Sequence, residues 1–203
     1  MIADLSKIMI ATSNSHKLRE IRDILAGLPF QIVSLQDFPD IPPVKETGET
    51  FRENALLKAR TVFQHTSLLT LADDSGLEVD ALKGAPGIYS ARFAGKERDY
   101  AANNRKLLQE LKNTPDEQRG AQFRCVVSIV GPETVKFTEG IVRGYITRKL
   151  RGDGGFGYDP LFIPDGFTNT YAELGEDVKN KISHRAIAFQ NARAILQDLV
   201  KLN

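Results

Sequence analysis

"LLTLADDSGLEVDAL", residues 68–82, decides how the chain is read. The run "LLTLA" has the length and composition of a buried strand, and it delivers two adjacent carboxylates, Asp73 and Asp74. Such a pair repels itself and is costly to bury without compensation. In an extended strand neighbouring side chains point to opposite faces, so the two cannot serve one site equally. Ser75-Gly76 is where the chain is expected to turn. The C-terminal end of a strand in an α/β sheet is where a ligand crevice is expected, and a carboxylate there can ligate a hard divalent cation that also offsets the repulsion. The competing reading makes one aspartate a cap for whatever follows.

Upstream, the pattern alternates between two periods. "KIMIAT" (7–12) and "FQIVSL" (30–35) are strand-like, and between them "HKLREIRDILAGL" places Leu18, Ile21, Leu25 and Leu28 on one helical face. A proline-rich loop, "DFPDIPPVKETG", leads to a second helix with Phe51, Ala55, Ala59 and Val62 as its apolar stripe. This βαβαβ order argues for an α/β architecture with some parallel strands. Downstream, "DYAANNRKLLQELKN" (99–113) reads as an amphipathic helix. "AQFRCVVSIV" and "VKFTEGIVRGYIT" flank "GPE" as a hairpin, "LFIP" is a short strand, and "SHRAIAFQNARAILQDLVKL" (183–202) is a helix with Ser183 as N-cap. No internal repeat or linker cuts the chain, so residues 1–203 read as one domain, with room for two lobes.

Composition narrows the function. The 203 residues carry 27 basic and 26 acidic side chains, net +1, without a long basic block, which gives little support to a nucleic-acid-coating or membrane-surface role. No run approaches the length of a membrane span, and the first residues lack the pattern of a signal peptide. A single cysteine, Cys125, fits the reducing cytosol, so a cytoplasmic protein is expected. Three scattered histidines and one cysteine argue against zinc and leave an oxygen-bound cation as the metal to consider.

Five segments carry candidate chemistry. In "ATSNSHKLREI", Thr12, Ser13 and Asn14 offer hydroxyl, amide and backbone N–H groups at a helix start, and Lys17 adds a full charge. Such a junction can hold phosphate oxygens, although for this segment taken alone a capped helix with a solvated lysine is the favoured reading. In "VKETGETF", Glu49 and Thr50 suit a first helical turn, which leaves Glu46 as the better metal ligand. In "GGFGYDP", glycines around Phe156 permit unusual backbone angles and the close approach of a flat ligand, against a plain tight turn. In "DVKNKISHRA", Arg185 at a helix start opposes the dipole and requires another partner. Asp73-Asp74 is the fifth.

Taken in order, "TSNSHKLREI", "ETGETFRENALLKA", "LADDSGLEVDALKGAPGIYSARFAG", "GGFGYDPLFIP" and "KISHRA" resemble the inosine triphosphate pyrophosphatases, the RdgB-type XTP/dITP diphosphatases, along nearly the whole chain. One departure is Ser13, where the family's usual Thr-Gly-Asn has glycine. The resemblance implies an elongated α/β fold, a mixed sheet flanked by helices in two lobes with a central cleft, usually a homodimer. It also implies Mg²⁺-dependent hydrolysis of non-standard purine nucleoside triphosphates (ITP, dITP, XTP) to monophosphate and pyrophosphate. By position, phosphate binding falls on Thr12, Ser13, Asn14, Ser15, His16 and Lys17, and a substrate contact on Ser75. Metal binding falls on Glu46 and Asp74, with Asp74 also the general base. Base recognition falls on Phe156, Gly157, Tyr158 and Asp159, closed by Lys179, His184 and Arg185.

The residue chemistry is compatible with that mechanism. No side-chain nucleophile is primed, since Cys125 sits in a strand-like run and no serine has a histidine partner in sequence, so direct attack by water is preferred. Donors such as Arg185 and backbone N–H groups would pair with the 6-oxygen of hypoxanthine or xanthine and oppose adenine's amino group. The alternatives are a related pyrophosphatase with another base preference and a nucleotide sensor that does not hydrolyse; nucleic acid and membrane are not expected as partners.

Overall fold

The computed structural model describes residues 6–201, so Leu202 of the last quoted segment lies outside it. The elements are β1 (Lys7–Ile10), α1 (Ser15–Ile24), β2 (Gln31–Ser34), α2 (Phe51–Thr66), β3 (Leu69–Val79), α3 (Tyr100–Glu110), β4 (Gly120–Gly131), β5 (Thr134–Ile146), β6 (Phe162–Pro164), α4 (Tyr171–Leu174), α5 (Glu176–Ile182) and α6 (His184–Lys201). Among the described residues the strands form one sheet in the order β2-β1-β3-β4-β5-β6. The first three strands are parallel, with Ile8 opposite both Ile32 and Leu69. β5 and β6 are antiparallel, with Gly144 opposite Pro164. This is the mixed α/β sheet with flanking helices that the alternating periods predict.

Two compact units divide the chain. The first holds the described residues up to Asp74, then Cys125–Gly140, and α6 from Arg185. The second holds Ser75–Arg124 and Ile141–His184.

In the first unit β1 is buried on both faces. Ile8 and Ile10 pack with Leu18 and Ile21 of α1 and Phe189 and Ala192 of α6. Met9, between them, packs with Ala59 and Val62 of α2. Burial on both faces is why "KIMI" is continuously apolar rather than alternating. β3 follows the same parity: Leu69 and Leu71 join the α1/α6 side and Ala72 the α2 side. The aspartates continue this alternation.

One local expectation is corrected. β3 does not turn at Ser75-Gly76 but runs on to Val79. "GLEV" is itself an alternating strand sequence, and Leu77 and Val79 are fully buried in the second unit's core. The acidic pair therefore lies inside a strand. The second unit packs Leu77, Val79, Leu107, Phe123, Tyr158 and Phe162 into its own cluster.

Helix starts follow the sequence signals. Asn14 caps α1, its side-chain oxygen accepting from His16 N at 3.0 Å and Lys17 N at 3.4 Å. Thr50 caps α2 in a reciprocal box: Thr50 Oγ1 accepts from Glu53 N (3.1 Å) and Glu53 Oε2 from Thr50 N (3.2 Å). The first-turn acid is thus Glu53, and Glu49 lies outside the helix. Gly48 N donates to Asn54 Oδ1 at 2.8 Å, and a Cβ at Gly48 would stand 2.6 Å from the Glu53 Cβ. Only glycine lets the Glu46 loop close this tightly onto α2.

Candidate active site

The first unit gathers charge around the middle of β3. By strand parity Asp73 continues the row of Leu69 and Leu71 toward α1 and α6, and both answer with a cation. Lys17 Nζ donates to Asp73 Oδ2 at 2.8 Å, and Arg185 Nη2 stands 3.5 Å from the same oxygen. Arg185 in turn donates from Nη1 to Glu20 Oε2 at 2.6 Å. Burial alone would push Asp73 up, but Lys17, Arg185 and Lys58 outweigh it and hold the carboxyl far below the ordinary aspartate range. Asp73 is thus a buried carboxylate held as an anion by its cationic neighbours.

Asp74 continues the other row, toward α2. Its cation is Lys58, whose Nζ lies 3.5 Å from Asp74 Oδ1 and 2.7 Å from Glu46 Oε1. Here burial wins: it raises the Asp74 pKa, Lys58 and Lys17 only partly counter it, and Glu46 and Asp73 add to it. Lys58 is desolvated too, yet Asp74, Glu46 and Asp73 hold its proton more tightly than usual. The environments of the two neighbouring carboxyls thus drive their pKa values in opposite directions.

Asp74 Oδ2 is buried without a hydrogen-bond partner among the described residues. The Lys58 ammonium already stands between Asp74 and Glu46, so positive charge is favoured there. These residues fit Mg²⁺, which is held through one or two carboxylates plus substrate phosphates. Among the described residues no group of three or more His, Cys, Asp and Glu side chains forms a ready-made metal cage.

The remaining predicted phosphate residues surround the start of α1. Thr12 Oγ1 accepts from Asn14 N at 3.2 Å, and Asn14 spends its side chain on the cap. Lys17 is not the solvated lysine of the plainer reading; it is fixed by Asp73. Ser13 and Ser15 are exposed and His16 is half-buried. Ser13 is not among the residues with positive φ, so the serine in the family's glycine position adopts its backbone without strain. Ser75 follows as the first residue of the second unit, half-buried in β3.

In the second unit Phe156, Gly157, Tyr158 and Asp159 form a turn pinned at several points. Asp159 Oδ2 accepts from Phe156 N at 2.8 Å and from the buried Lys179 Nζ at 2.5 Å. The same ammonium lies 4.3 Å from the centre of the half-buried Phe156 ring. Tyr158 is buried, its hydroxyl donating to Ser90 O at 3.0 Å. His184 stacks on Phe123, ring centres 4.6 Å apart and 8° from parallel.

Arg185, expected with the base-reading group, is paired with Glu20 and Asp73 in the first unit. Glu20 and Asp73 are the partners that its unfavourable position at a helix start requires. Lys58 and Glu20 were not singled out from sequence. The signal for Lys58 was present, since it falls on the helical stripe of Phe51, Ala55 and Val62, where a cation must find an acid. Cys125 offers no nucleophile: burial, then Asp73, push its thiol pKa up.

Residues 8–195 match the model of the Ham1 family. The dITP/XTP pyrophosphatase of Geobacter sulfurreducens is 50% identical over 195 residues, covering 96% of either chain. That of Desulforamulus reducens is 49% identical over 194 residues, covering 95% of this chain and 96% of its own. Among solved structures, the Staphylococcus aureus Ham1 protein superposes with a TM-score of 0.85 at 40% identity, covering 95% of this chain and 99% of that one. The HAM1 protein from Coxiella burnetii gives 0.86 at 39%, covering 95% and 98%. With a family model spanning nearly its whole length and half its residues shared with such relatives, the chain belongs to the Ham1 family.

Proposed function

We propose that the protein hydrolyses non-standard purine nucleoside triphosphates (ITP, dITP and XTP) to the monophosphate and pyrophosphate, removing them from the nucleotide pool. Relatives sharing half of its residues are named dITP/XTP pyrophosphatases. The single observation that carries the chemistry is the opposite placement of two neighbouring carboxyls, Asp73 paired with Lys17 and Arg185 and its pKa lowered, Asp74 beside Lys58 and its pKa raised by burial.

In this reading Thr12 to Lys17 take phosphate oxygens, with the start of α1 and the Lys17 ammonium opposing their charge. Glu46 and Asp74 would hold Mg²⁺, which when bound supplies neutralisation of the polyphosphate. Asp74 orients a water molecule and takes its proton as the oxygen adds to phosphorus and the bond between α- and β-phosphates breaks. Ser75 contacts the substrate beside it. Phe156 offers a face for the base, Asp159 and Lys179 hold that segment, and His184 closes the pocket. Backbone N–H groups there would pair with a 6-oxygen and meet adenine's amino group with a clash of donors. Arg185 holds the Asp73 carboxylate in place in the first unit. A homodimer in the cytoplasm completes the reading.

The test is pyrophosphate release from ITP, XTP, dITP, ATP and GTP, with and without Mg²⁺. Fast release from the first three, dependent on Mg²⁺, supports the reading, and equal rates on ATP contradict it.

A further inference from the structure

The turn at residues 156–159 is gripped from a direction that its own sequence does not disclose. Asn104, on α3 and 5% exposed, donates from Nδ2 to the carbonyl oxygen of Gly157 at 2.9 Å. Its other polar atom, Oδ1, is buried without a hydrogen-bond partner among the described residues. A leucine at this place on the buried side of α3 would avoid that unpaired acceptor, so what asparagine adds is the single donated bond.

That bond falls where the backbone is least constrained by side chains. Gly157 has φ +66°, and a Cβ there would meet nothing within 4 Å. Glycine is needed for the backbone angle and not for space. Because the peptide unit is planar and trans, fixing the Gly157 carbonyl toward Asn104 turns the Tyr158 N–H to the opposite side. The Phe156 N–H is already spent on Asp159. The Tyr158 N–H meets no acceptor among the described residues. One grip therefore decides the direction of one uncommitted backbone donor.

We propose that Asn104 is a positioning residue for base selection: through Gly157 it aims the Tyr158 N–H at the 6-oxygen of a 6-oxopurine. The inference rests on the function proposed above. A 6-oxo group can accept that hydrogen bond and a 6-amino group cannot, so loosening the peptide unit weakens the oxopurine's advantage in particular.

The experiment compares wild type, Asn104→Leu and Asn104→Asp, measuring kcat and KM for ITP and ATP with Mg²⁺. Leucine removes the donor without charge, and aspartate removes it with nearly unchanged shape. Both variants are expected to retain kcat for ITP, to raise its KM about tenfold, and to lower the ITP-to-ATP ratio of kcat/KM about tenfold. A fall in melting temperature with KM and that ratio unchanged would overturn the proposal and leave Asn104 a packing residue. If neither variant folds, the amide resonance of Tyr158 in the wild type decides: a downfield shift on adding inosine monophosphate supports the proposal, and an unmoved resonance overturns it. Wild type that releases no pyrophosphate from ITP overturns the function and this inference together, whereas active wild type with unchanged variants overturns the inference alone.

Discussion

Asp73 and Asp74 are consecutive in β3 and meet opposite sides of the first unit, Asp73 at 2.8 Å from Lys17 of α1 and Asp74 at 3.5 Å from Lys58 of α2. The alternation that makes β1 apolar on both faces thus separates two like charges and gives each its own cation.

Carboxyl titration by carbon NMR in metal-free protein tests this separation. The Asp73 carboxyl is expected to titrate below the ordinary aspartate value and the Asp74 carboxyl above it. The signs carry through to stability. Asp73, with a lowered pKa, stabilises the fold above about pH 3.9, and that contribution is lost as pH falls through its folded value. Asp74, with a raised pKa, opposes folding as pH climbs from about 3.9 through its folded value. Asp74→Asn should therefore melt higher than wild type at neutral pH without Mg²⁺, the gap closing toward acid. Equal pKa values for the two carboxyls would contradict the assignment.

Lys58→Met removes the ammonium between Glu46 and Asp74. Mg²⁺ should then bind nucleotide-free protein about tenfold more tightly, because two carboxylates lose a competing cation. Turnover of ITP should fall, since Asp74 and Glu46 lose the ammonium that pairs with both. Calorimetric titration with MgCl₂ checks the first effect, and unchanged or weaker binding counts against a metal held by Glu46 and Asp74.

Asp159→Asn leaves the Lys179 ammonium buried with its carboxylate gone. Breaking a buried pair in this way costs about 3–5 kcal/mol. Urea unfolding should register that loss, and KM for ITP should rise as the Phe156 turn loosens. A loss below about 1 kcal/mol would show that the pair is not what holds the turn.

Much of this is legible in the sequence. β1, β2 and β6 and the stripes of α1 and α2 follow from apolar spacing, because burial leaves little choice at Ile8, Ile21 or Ala55. The extension of β3 past Gly76 was not legible. "DDSG" carries local turn chemistry, and the burial of Leu77 and Val79 overrides it. Long-range charge pairing was equally hidden: Arg185 is separated from Glu20 by most of the chain, and its discomfort at a helix start signalled a partner without naming it. The lysine on the stripe of α2 was the readable clue that was missed.

The most direct measurement of the central claim is pyrophosphate release from ITP by Asp74→Asn beside wild type, with nucleotide affinity measured in parallel. Removal of the base should lower kcat by about 10²–10⁴-fold while nucleotide binding persists. Near-normal pyrophosphate release by the variant would contradict the role of Asp74 and the mechanism built on it.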